Sequence, residues 1–459
     1  MTIGVLPDDV LLEIFDCYDA LFLLKKDAWH TLVHVSRKWR RIVFDSPRRL
    51  NLRLLCSART PARKMLTIWP PLPIILREHH YSARDVDNII AALEQHNRVC
   101  DIQLSGDPSS ALGKLLVAME EPFPALANLE LENKDDMAPV IPDTYTFLGG
   151  FAPRLGTLSL TGIPTPFPGL RRLFLSSTNL VYLSLLRIPH SGYISPEAMV
   201  TCLSALTRLE VLKFEFESPR SWPYRENRRS HPPTRTLLPS LRDLLFTGGS
   251  EYLDDLVARI DVPLLAFMHI TFFHQLIFDT PQLAQFISRS NRRQKDGPPN
   301  EARVVFSDSR VIVLLPEPFA YWLELEISCK QSDWQLSALA QVCSSSFPRD
   351  FIPTVEHLYI ILELGFAQLR WQHDIENSQW LELLHPFTGV KKLFLSQNIA
   401  PRIAPALQEF VGGRANEVLP ALQSIHLEVL HPLGVVPEVI GQFVTARHLS
   451  GHPIAVIPW

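Results

Sequence analysis

Two histidines near the start of the chain, His30 and His34, have the spacing of metal ligands. Residues four apart on a helix lie on the same face, so both imidazoles could reach one zinc ion. A zinc site takes three or four protein ligands, and the neighbouring sequence supplies no further histidine or cysteine. We therefore predict no metal here.

Short catalytic patterns are absent from the sequence. It contains no G-x-S-x-G, no G-x-x-x-x-G-K-[ST], no G-x-G-x-x-G and no H-E-x-x-H. The acidic pairs at 135–136 and 254–255 have no partner at a spacing that suggests acid–base work. We predict no catalytic residues, no cofactor and no enzymatic activity.

An arginine-rich stretch at 218–236 is the one strongly charged segment with a possible binding role. Its prolines and serines predict a long exposed loop, and residues 289–300 form a second basic loop. A solvated insertion is the first interpretation. The second is an anion site for a phosphorylated partner segment, because guanidinium groups bind phosphate in a bidentate manner. Its candidate residues are Arg220, Arg225, Arg228, Arg229 and Arg235.

The composition limits the class of protein. With 459 residues, 46% hydrophobic residues and a net charge of −4, the chain should fold, and it has no basic excess for nucleic acid. Its six cysteines contain no C-x-x-C pair, which is typical of reduced thiols. No signal pattern and no apolar run of about 18–20 residues is present, so we expect no membrane partner and a cytoplasmic or nuclear location.

The first 55 residues read as a small helical module. Pro7 followed by two aspartates predicts a helix start, and apolar residues then recur at helical spacing from Val10 to Tyr18. A second helix is predicted over 27–44, ending before Pro47. Alternating leucines at 50, 52 and 54 predict a strand. These few helical turns cannot bury the module's apolar surface by themselves. We therefore expect this surface to pack on the rest of the chain, on a partner, or on both.

The order of residues in this module resembles the F-box. The resemblance rests on Leu6-Pro7, Val10-Leu11, Ile14, Trp29, Leu32, Val35, Trp39-Arg40 and Ile42, with Ser36 where a cysteine is frequent. The continuation SPRRLNLRLL and the stretch WPPLPIIL resemble a fungal family of F-box proteins with degenerate leucine-rich repeats. In that family the module packs against the Skp-type adaptor of a cullin–RING ubiquitin ligase. The adaptor-binding residues that the resemblance implies are Leu6, Pro7, Val10, Leu11, Ile14, Leu32 and Trp39.

Beyond residue 82 the pattern L-x-x-L-x-L recurs, as in leucine-rich repeats. The last two apolar residues of each motif are two apart and face the same side of a short strand, and stacking covers each exposed strand edge. Residues 300–330 could hold strands of distorted repeats. The motifs begin at Val99, Leu126, Leu155, Leu170, Leu180, Leu209, Leu241, Leu265, Val355, Val390 and Leu422.

The predicted fold is therefore α/β: an all-helical F-box at 1–55, a Pro-rich connector at 56–81, and a leucine-rich-repeat-like solenoid at 82–459. The solenoid would be a curved parallel sheet with outer helices and loops. The resemblance implies the substrate-recognition subunit of an SCF-type ubiquitin ligase, with an unknown protein substrate on the repeats. The alternatives are an interaction scaffold without ubiquitylation and, more distantly, a divergent enzyme or ligand receptor on a repeat frame.

Overall fold

The chain folds into two compact units, one of residues 1–194 and 205–209, the other of residues 195–204 and 210–459. Each is described by itself below. The structure is a computed structural model, and it describes residues 6–21, 29–57, 61–81, 85–106, 109–135, 145–164, 167–218, 234–275, 277–291, 300–316, 321–329, 332–363, 377–408, 417–428 and 438–459.

The N-terminal unit begins with helices and continues as a parallel sheet. The helices are α1 (Asp8–Leu21), α2 (Trp29–Val35), α3 (Arg37–Asp45), α4 (Ala62–Ile68), α5 (Val86–Leu93), α6 (Ser109–Val117) and α7 (Phe167–Ser176). The strands are β1 (Leu54–Cys56), β2 (Ile74–Tyr81), β3 (Val99–Gly106), β4 (Asn128–Asn133), β5 (Thr157–Thr161) and β6 (Tyr182–Ile188). They pair in sequence order, each parallel to the next.

The C-terminal unit repeats this arrangement at greater length. Its helices are α8 (Pro196–Leu203), α9 (Ser250–Ala258), α10 (Pro281–Asn291), α11 (Gln335–Ser345), α12 (Asn377–Leu384), α13 (Ala400–Gln408) and α14 (Glu438–Leu449). Its strands are β7 (Val211–Phe216), β8 (Thr236–Leu237), β9 (Asp243–Gly248), β10 (Ile260–Asp261), β11 (Phe267–Phe273), β12 (Glu301–Phe306), β13 (Arg310–Pro316), β14 (Tyr321–Ser328), β15 (His357–Leu362), β16 (Lys392–Leu395), β17 (Ser424–Leu427) and β18 (Ala455–Pro458). Strands β8 and β10 pair separately.

The core of each unit lies between the strands and the helices. In β4 the two leucines of the motif, Leu129 and Leu131, are buried, whereas Glu130 between them is exposed. The same alternation recurs in β5, β7, β9 and β15, because successive side chains of a strand point to opposite faces. These units have the mixed α/β, leucine-rich-repeat-like fold that the sequence predicts.

The predicted strands at 300–330 exist, but one of them runs against the others. Strand β13 is antiparallel to both β12 and β14. Strand β14 then pairs in parallel with β11, and β12 pairs in parallel with β15. The order in the sheet is therefore β7-β9-β11-β14-β13-β12-β15-β16-β17-β18. A three-stranded meander is inserted here, and the parallel stacking of repeats continues on both sides of it.

The motif at Leu170 was predicted as a strand, which is wrong. Residues 167–176 form helix α7, in which Leu170 and Leu173 are buried and Leu175 is 60% exposed. The first two leucines of the motif are three apart, so they also lie on one face of a helix. The motif alone does not separate these two structures.

The single helix predicted over 27–44 is two helices in the structure. Ser36 interrupts it with extended backbone, and its hydroxyl accepts a hydrogen bond from the Trp39 backbone N–H at 3.2 Å. This is an N-cap, which satisfies one of the free donors at the start of α3. The position that departs from the F-box pattern therefore serves as a helix cap.

The structure also differs from the predictions at 50–81. Leu50 and Leu52 are buried but precede strand β1, and Asn51 between them has a φ of 47°. The connector predicted at 56–81 contains helix α4 and strand β2, and β2 pairs with both β1 and β3. This segment is thus part of the sheet.

The helices of the described residues include none with the length and hydropathy of a membrane span.

Candidate functional site

The three N-terminal helices pack around a small apolar core. Leu11 and Phe15 of α1 are fully buried, and so is Val33 of α2. The Phe15 ring lies 4.8 Å from the Trp39 ring of α3, measured between centroids. Further buried residues of this core are Trp29, Leu32, Ile42 and Val43. Part of the apolar stripe seen in the sequence is therefore the module's own core.

Charged groups of α3 hold the start of α1. The Lys38 ammonium donates a hydrogen bond to the Leu6 carbonyl at 2.8 Å and lies 3.2 Å from an Asp8 carboxylate oxygen. Arg41 lies 3.6 Å from the other Asp8 oxygen. Asp8 and Arg41 are largely exposed, so these pairs orient the helix more than they stabilise it.

The outer side of α1 carries an exposed apolar row. Pro7 is exposed, Val10 is 40% exposed and Ile14 is 42% exposed. Val10 and Ile14 are four apart and lie on one face of the helix, beside the face that carries Leu11 and Phe15. Pro7 directly precedes the helix, three residues before Val10. We call Pro7, Val10 and Ile14 the α1 row.

The structure divides the seven predicted adaptor-binding residues. Leu11 and Leu32 lie in the core, whereas Leu6 and Trp39 are half-buried. Among the seven, only the three residues of the α1 row are exposed. The sequence did not single out Val35 as a contact residue, although at the end of α2 it is 56% exposed. Contact of any of these residues with an adaptor stays a prediction.

The two histidines with metal-ligand spacing pack against a tryptophan. The His30 ring stacks on Trp69 at 5.0 Å with an interplanar angle of 12°, and His34 approaches the same ring edge-on at 6.1 Å. Within the described residues, no group of three or more His, Cys, Asp or Glu is placed to hold a metal. The spacing therefore serves aromatic packing.

Trp69 is the centre of an aromatic cluster that joins the helical module to the sheet of the same unit. Besides the two histidines, it contacts Trp29 at 5.3 Å and Phe44 at 6.1 Å. The Trp29 indole N–H also donates to the Arg53 carbonyl at 2.9 Å, just before β1. We call Trp29, His30, His34, Phe44 and Trp69 the Trp69 cluster. The tryptophan beside prolines at 69–73 was the available signal for it in the sequence.

Most of the predicted arginine site lies outside the described residues. This applies to Arg220, Arg225, Arg228 and Arg229. Arg235 is described, and its Nε donates to the Ala258 carbonyl at 3.2 Å. Arg289 donates to the Val257 carbonyl at 3.4 Å, and burial, followed by the charge of Arg235, lowers its pKa. Both guanidinium groups thus bind the carboxyl-terminal end of α9, where helix carbonyls attract cations.

Burial also determines the character of the thiols. It raises the pKa of Cys56 to about 11 and the pKa of Cys329 and Cys343 to about 12. A thiol is a nucleophile only as the thiolate. These cysteines are therefore core residues with little nucleophilic character at neutral pH.

The face of the C-terminal sheet that points away from the buried leucines carries a charged network. The His269 Nδ1 lies 3.2 Å from a Glu324 oxygen, and its Nε2 lies 3.1 Å from the Thr271 hydroxyl. The hydrogen bond to Glu324 is the main reason that the pKa of His269 is raised. Residues on this exposed face are the ones that a repeat fold offers to a partner.

Arg310 forms two ion pairs beside this network. Arg310 donates to Glu326 at 3.2 Å and to Glu363 at 2.6 Å. Burial raises the pKa of Glu326, while the Arg310 charge opposes this shift. Because these charges already pair with one another, the network is better suited to fixing the strands than to binding an external ion.

Comparison with known proteins finds similarity among solved structures. No family model matches the chain, and no curated protein matches it. Among solved structures, the chain is similar to the crystal structure of the leucine-rich repeat-containing protein LegL7 from Legionella pneumophila. The identity is 14% and the TM-score 0.27, over 87% of this chain and 97% of that one. The assignment of the fold rests on the order of strands and helices described above.

Proposed function

We propose that the chain is a substrate-recognition subunit of an SCF-type ubiquitin ligase. The helical module would act as an F-box that docks a Skp-type adaptor, and the repeat units would hold a protein substrate. The α1 row is the observation that carries this proposal. It is an apolar helix face left exposed beside a face whose Leu11 and Phe15 are buried in the core. An amphipathic helix in a groove is a recurring mode of recognition.

The mechanism is recruitment and involves no bond chemistry by this chain. Holding a substrate beside the ligase's catalytic subunits raises its effective concentration by orders of magnitude. Such a mechanism requires that the adaptor-binding module keep its place next to the first strands. The Trp69 cluster supports this requirement, since it packs α2 and α3 against residue 69, between α4 and β2.

Adaptor binding by an alanine variant of the α1 row tests the proposal. Full burial of a Val or Ile side chain contributes about 1.5–3 kcal/mol, and about 40% of each side chain is exposed. Covering both exposed parts would contribute about 2 kcal/mol, so Val10→Ala with Ile14→Ala should weaken the adaptor about thirtyfold. The measurement is surface plasmon resonance with the full chain and a purified Skp-type adaptor.

A matched control replaces two other exposed apolar residues of the same unit. Val117 is 50% exposed on α6 and Leu175 is 60% exposed on α7. Their double alanine variant should bind the adaptor like the unmodified chain. Equal affinities for all three proteins, or no binding by the unmodified chain, would refute the assignment of the α1 row.

An interaction scaffold is the second candidate, because an exposed sheet face can bind partners without any ligase. The two candidates differ in a reconstituted reaction with adaptor, cullin, RING subunit and ubiquitin. Ubiquitin transfer to a bound partner favours the ligase subunit. Adaptor binding without transfer favours the scaffold.

A further inference from the structure

A row of aromatic and cationic side chains crosses the exposed face of the C-terminal sheet. Arg303 on β12 is the in-register neighbour of Tyr359 on β15, which neighbours Phe394 on β16, which neighbours His426 on β17. Each lies between two buried residues of its strand, so its side chain points away from the core. We call these four residues and Trp459 the aromatic row.

The strands dictate how the rings meet. The Tyr359 and Phe394 centroids are 4.1 Å apart at 8°, and those of Phe394 and His426 are 4.3 Å apart at 21°. Neighbouring strands are about 4.8 Å apart, so in-register rings stack on one another. The Arg303 guanidinium lies 5.1 Å from the Tyr359 centroid and covers the other face of that ring. Because their faces are covered, the Tyr359 and Phe394 rings present only edges, which carry positive partial charge, and Trp459 contacts part of them.

Trp459 enlarges this surface. Its ring stands 5.4 Å from Phe394 at 81° and 5.9 Å from Tyr359 at 73°, and the residue is 48% exposed. Ile457, the in-register neighbour of His426, is 39% exposed. Tyrosine, tryptophan, phenylalanine and arginine are the residues that interfaces prefer. The aromatic row thus has the composition of an interface.

Charges of both signs flank the aromatic row, and the Glu301 charge, after burial, helps to raise the pKa of Tyr359. Lys392 is exposed, lies two residues before Phe394 on the same face, and neighbours His357 in register. Arg303 and Lys391 are paired with Glu301 at 2.7 Å and Glu356 at 2.6 Å. Lys392 forms no ion pair with a described residue, but after the hydrogen bond from Lys391 its charge contributes to lowering the pKa of Glu356. Burial is the largest cause of the lowered pKa of His426, and the charges of Lys392 and His357 lower it further. The lysine charge therefore acts on the aromatic row.

We propose that the aromatic row and Lys392 form a docking surface for an acidic segment of a protein partner, in which Asp or Glu side chains flank an apolar residue. The apolar residue would pack on Trp459 and the ring edges, and carboxylates would lie at Lys392 and along the positive edges. Identifying this partner as the ligase substrate rests on the proposed function. Docking of the segment itself requires no adaptor.

Fluorescence anisotropy with the full chain tests the surface. The probe is a labelled peptide of glutamate, glycine and phenylalanine, with matched peptides in which glutamine or lysine replaces glutamate. We expect saturable binding of the glutamate peptide and at least tenfold weaker binding of the other two. Lys392→Glu and Phe394→Ala should each weaken the glutamate peptide about tenfold or more.

Lys213→Glu is the matched control, because Lys213 lies between the two buried residues of its own motif on β7 of the same unit. It should leave peptide affinity unchanged. Lys392 is exposed, so its variant should keep the unmodified circular dichroism spectrum and melting temperature, and this separates docking from folding if Phe394→Ala is unstable.

Three results would overturn the proposal. They are equal binding of the glutamate and glutamine peptides, an equal effect of the two lysine reversals, and tighter binding of a phosphoserine peptide or of oligothymidine than of the glutamate peptide. The adaptor is absent from this assay, so failure here leaves adaptor docking by the α1 row untouched. Failure of the α1 row in turn leaves peptide binding untouched.

Discussion

Replacing Trp69 with alanine should lower the local stability of α2 and α3 and leave that of strands β4 and β5 unchanged. The Trp69 ring contacts Trp29 at 5.3 Å, His30 at 5.0 Å and Phe44 at 6.1 Å. Removing a fully buried tryptophan costs about 3–5 kcal/mol. Trp69 is half-buried, so we expect a loss of about 2 kcal/mol.

Amide hydrogen exchange reports this loss at each element. An opening free energy lowered by about 2 kcal/mol should speed exchange about thirtyfold in α2 and α3. Strands β4 and β5, which the Trp69 cluster does not contact, should exchange at their former rates. The matched control is Ile68→Ala, because Ile68 is the next residue in sequence and is 60% exposed.

The reasoning would be refuted by either of two patterns. Unchanged exchange in α2 and α3 would mean that the cluster does not hold the module. Equal acceleration in β4 and β5 would mean that the whole unit unfolds together. The functional consequence is separable, since the α1 row is untouched in this variant and adaptor affinity should stay within about threefold.

Two further predictions concern the C-terminal unit. The hydrogen bond to Glu324 raises the pKa of His269 in the folded chain above the unfolded value of 6.5. The pair therefore stabilises the folded state fully below pH 6.5, and this stabilisation is lost as the pH rises through the folded pKa. Urea unfolding should accordingly show the unmodified chain losing stability relative to Glu324→Gln between mildly acidic and alkaline pH, and parallel profiles would contradict this. A Cβ on Gly389 would clash with the Pro353 carbonyl oxygen, so Gly389→Ala should lower the free energy of unfolding by about 1–3 kcal/mol or more. Gly441→Ala, which meets nothing within 4 Å, should not lower it.

Three residues of the aromatic row escaped the sequence analysis although a signal was present. Tyr359, Phe394 and His426 each occupy the position between the last two apolar residues of a repeat. Such positions face away from the core, so aromatic rings recurring there indicate an exposed aromatic surface. Their stacking followed only from the register of β15, β16 and β17.

The sequence by itself determined which residues enter the core of most repeats. Motifs such as Leu126-x-x-Leu129-x-Leu131 became strands with buried leucines, because a side-chain period of two is a local property of the chain. The same local reading failed at Leu170, where leucines three apart suit a helix face equally well. Short patterns therefore predicted elements well where only one period fitted.

Only the tertiary structure decided which elements lie side by side and which faces stay exposed. The antiparallel course of β13 depends on pairing with β12 and β14. The division of α1 into buried Leu11 and exposed Val10 depends on where α2 and α3 pack against it. The Trp69 cluster joins residues up to forty positions apart. Such contacts depend on long-range packing, and the periodicity of a short segment carries no information about its distant neighbours.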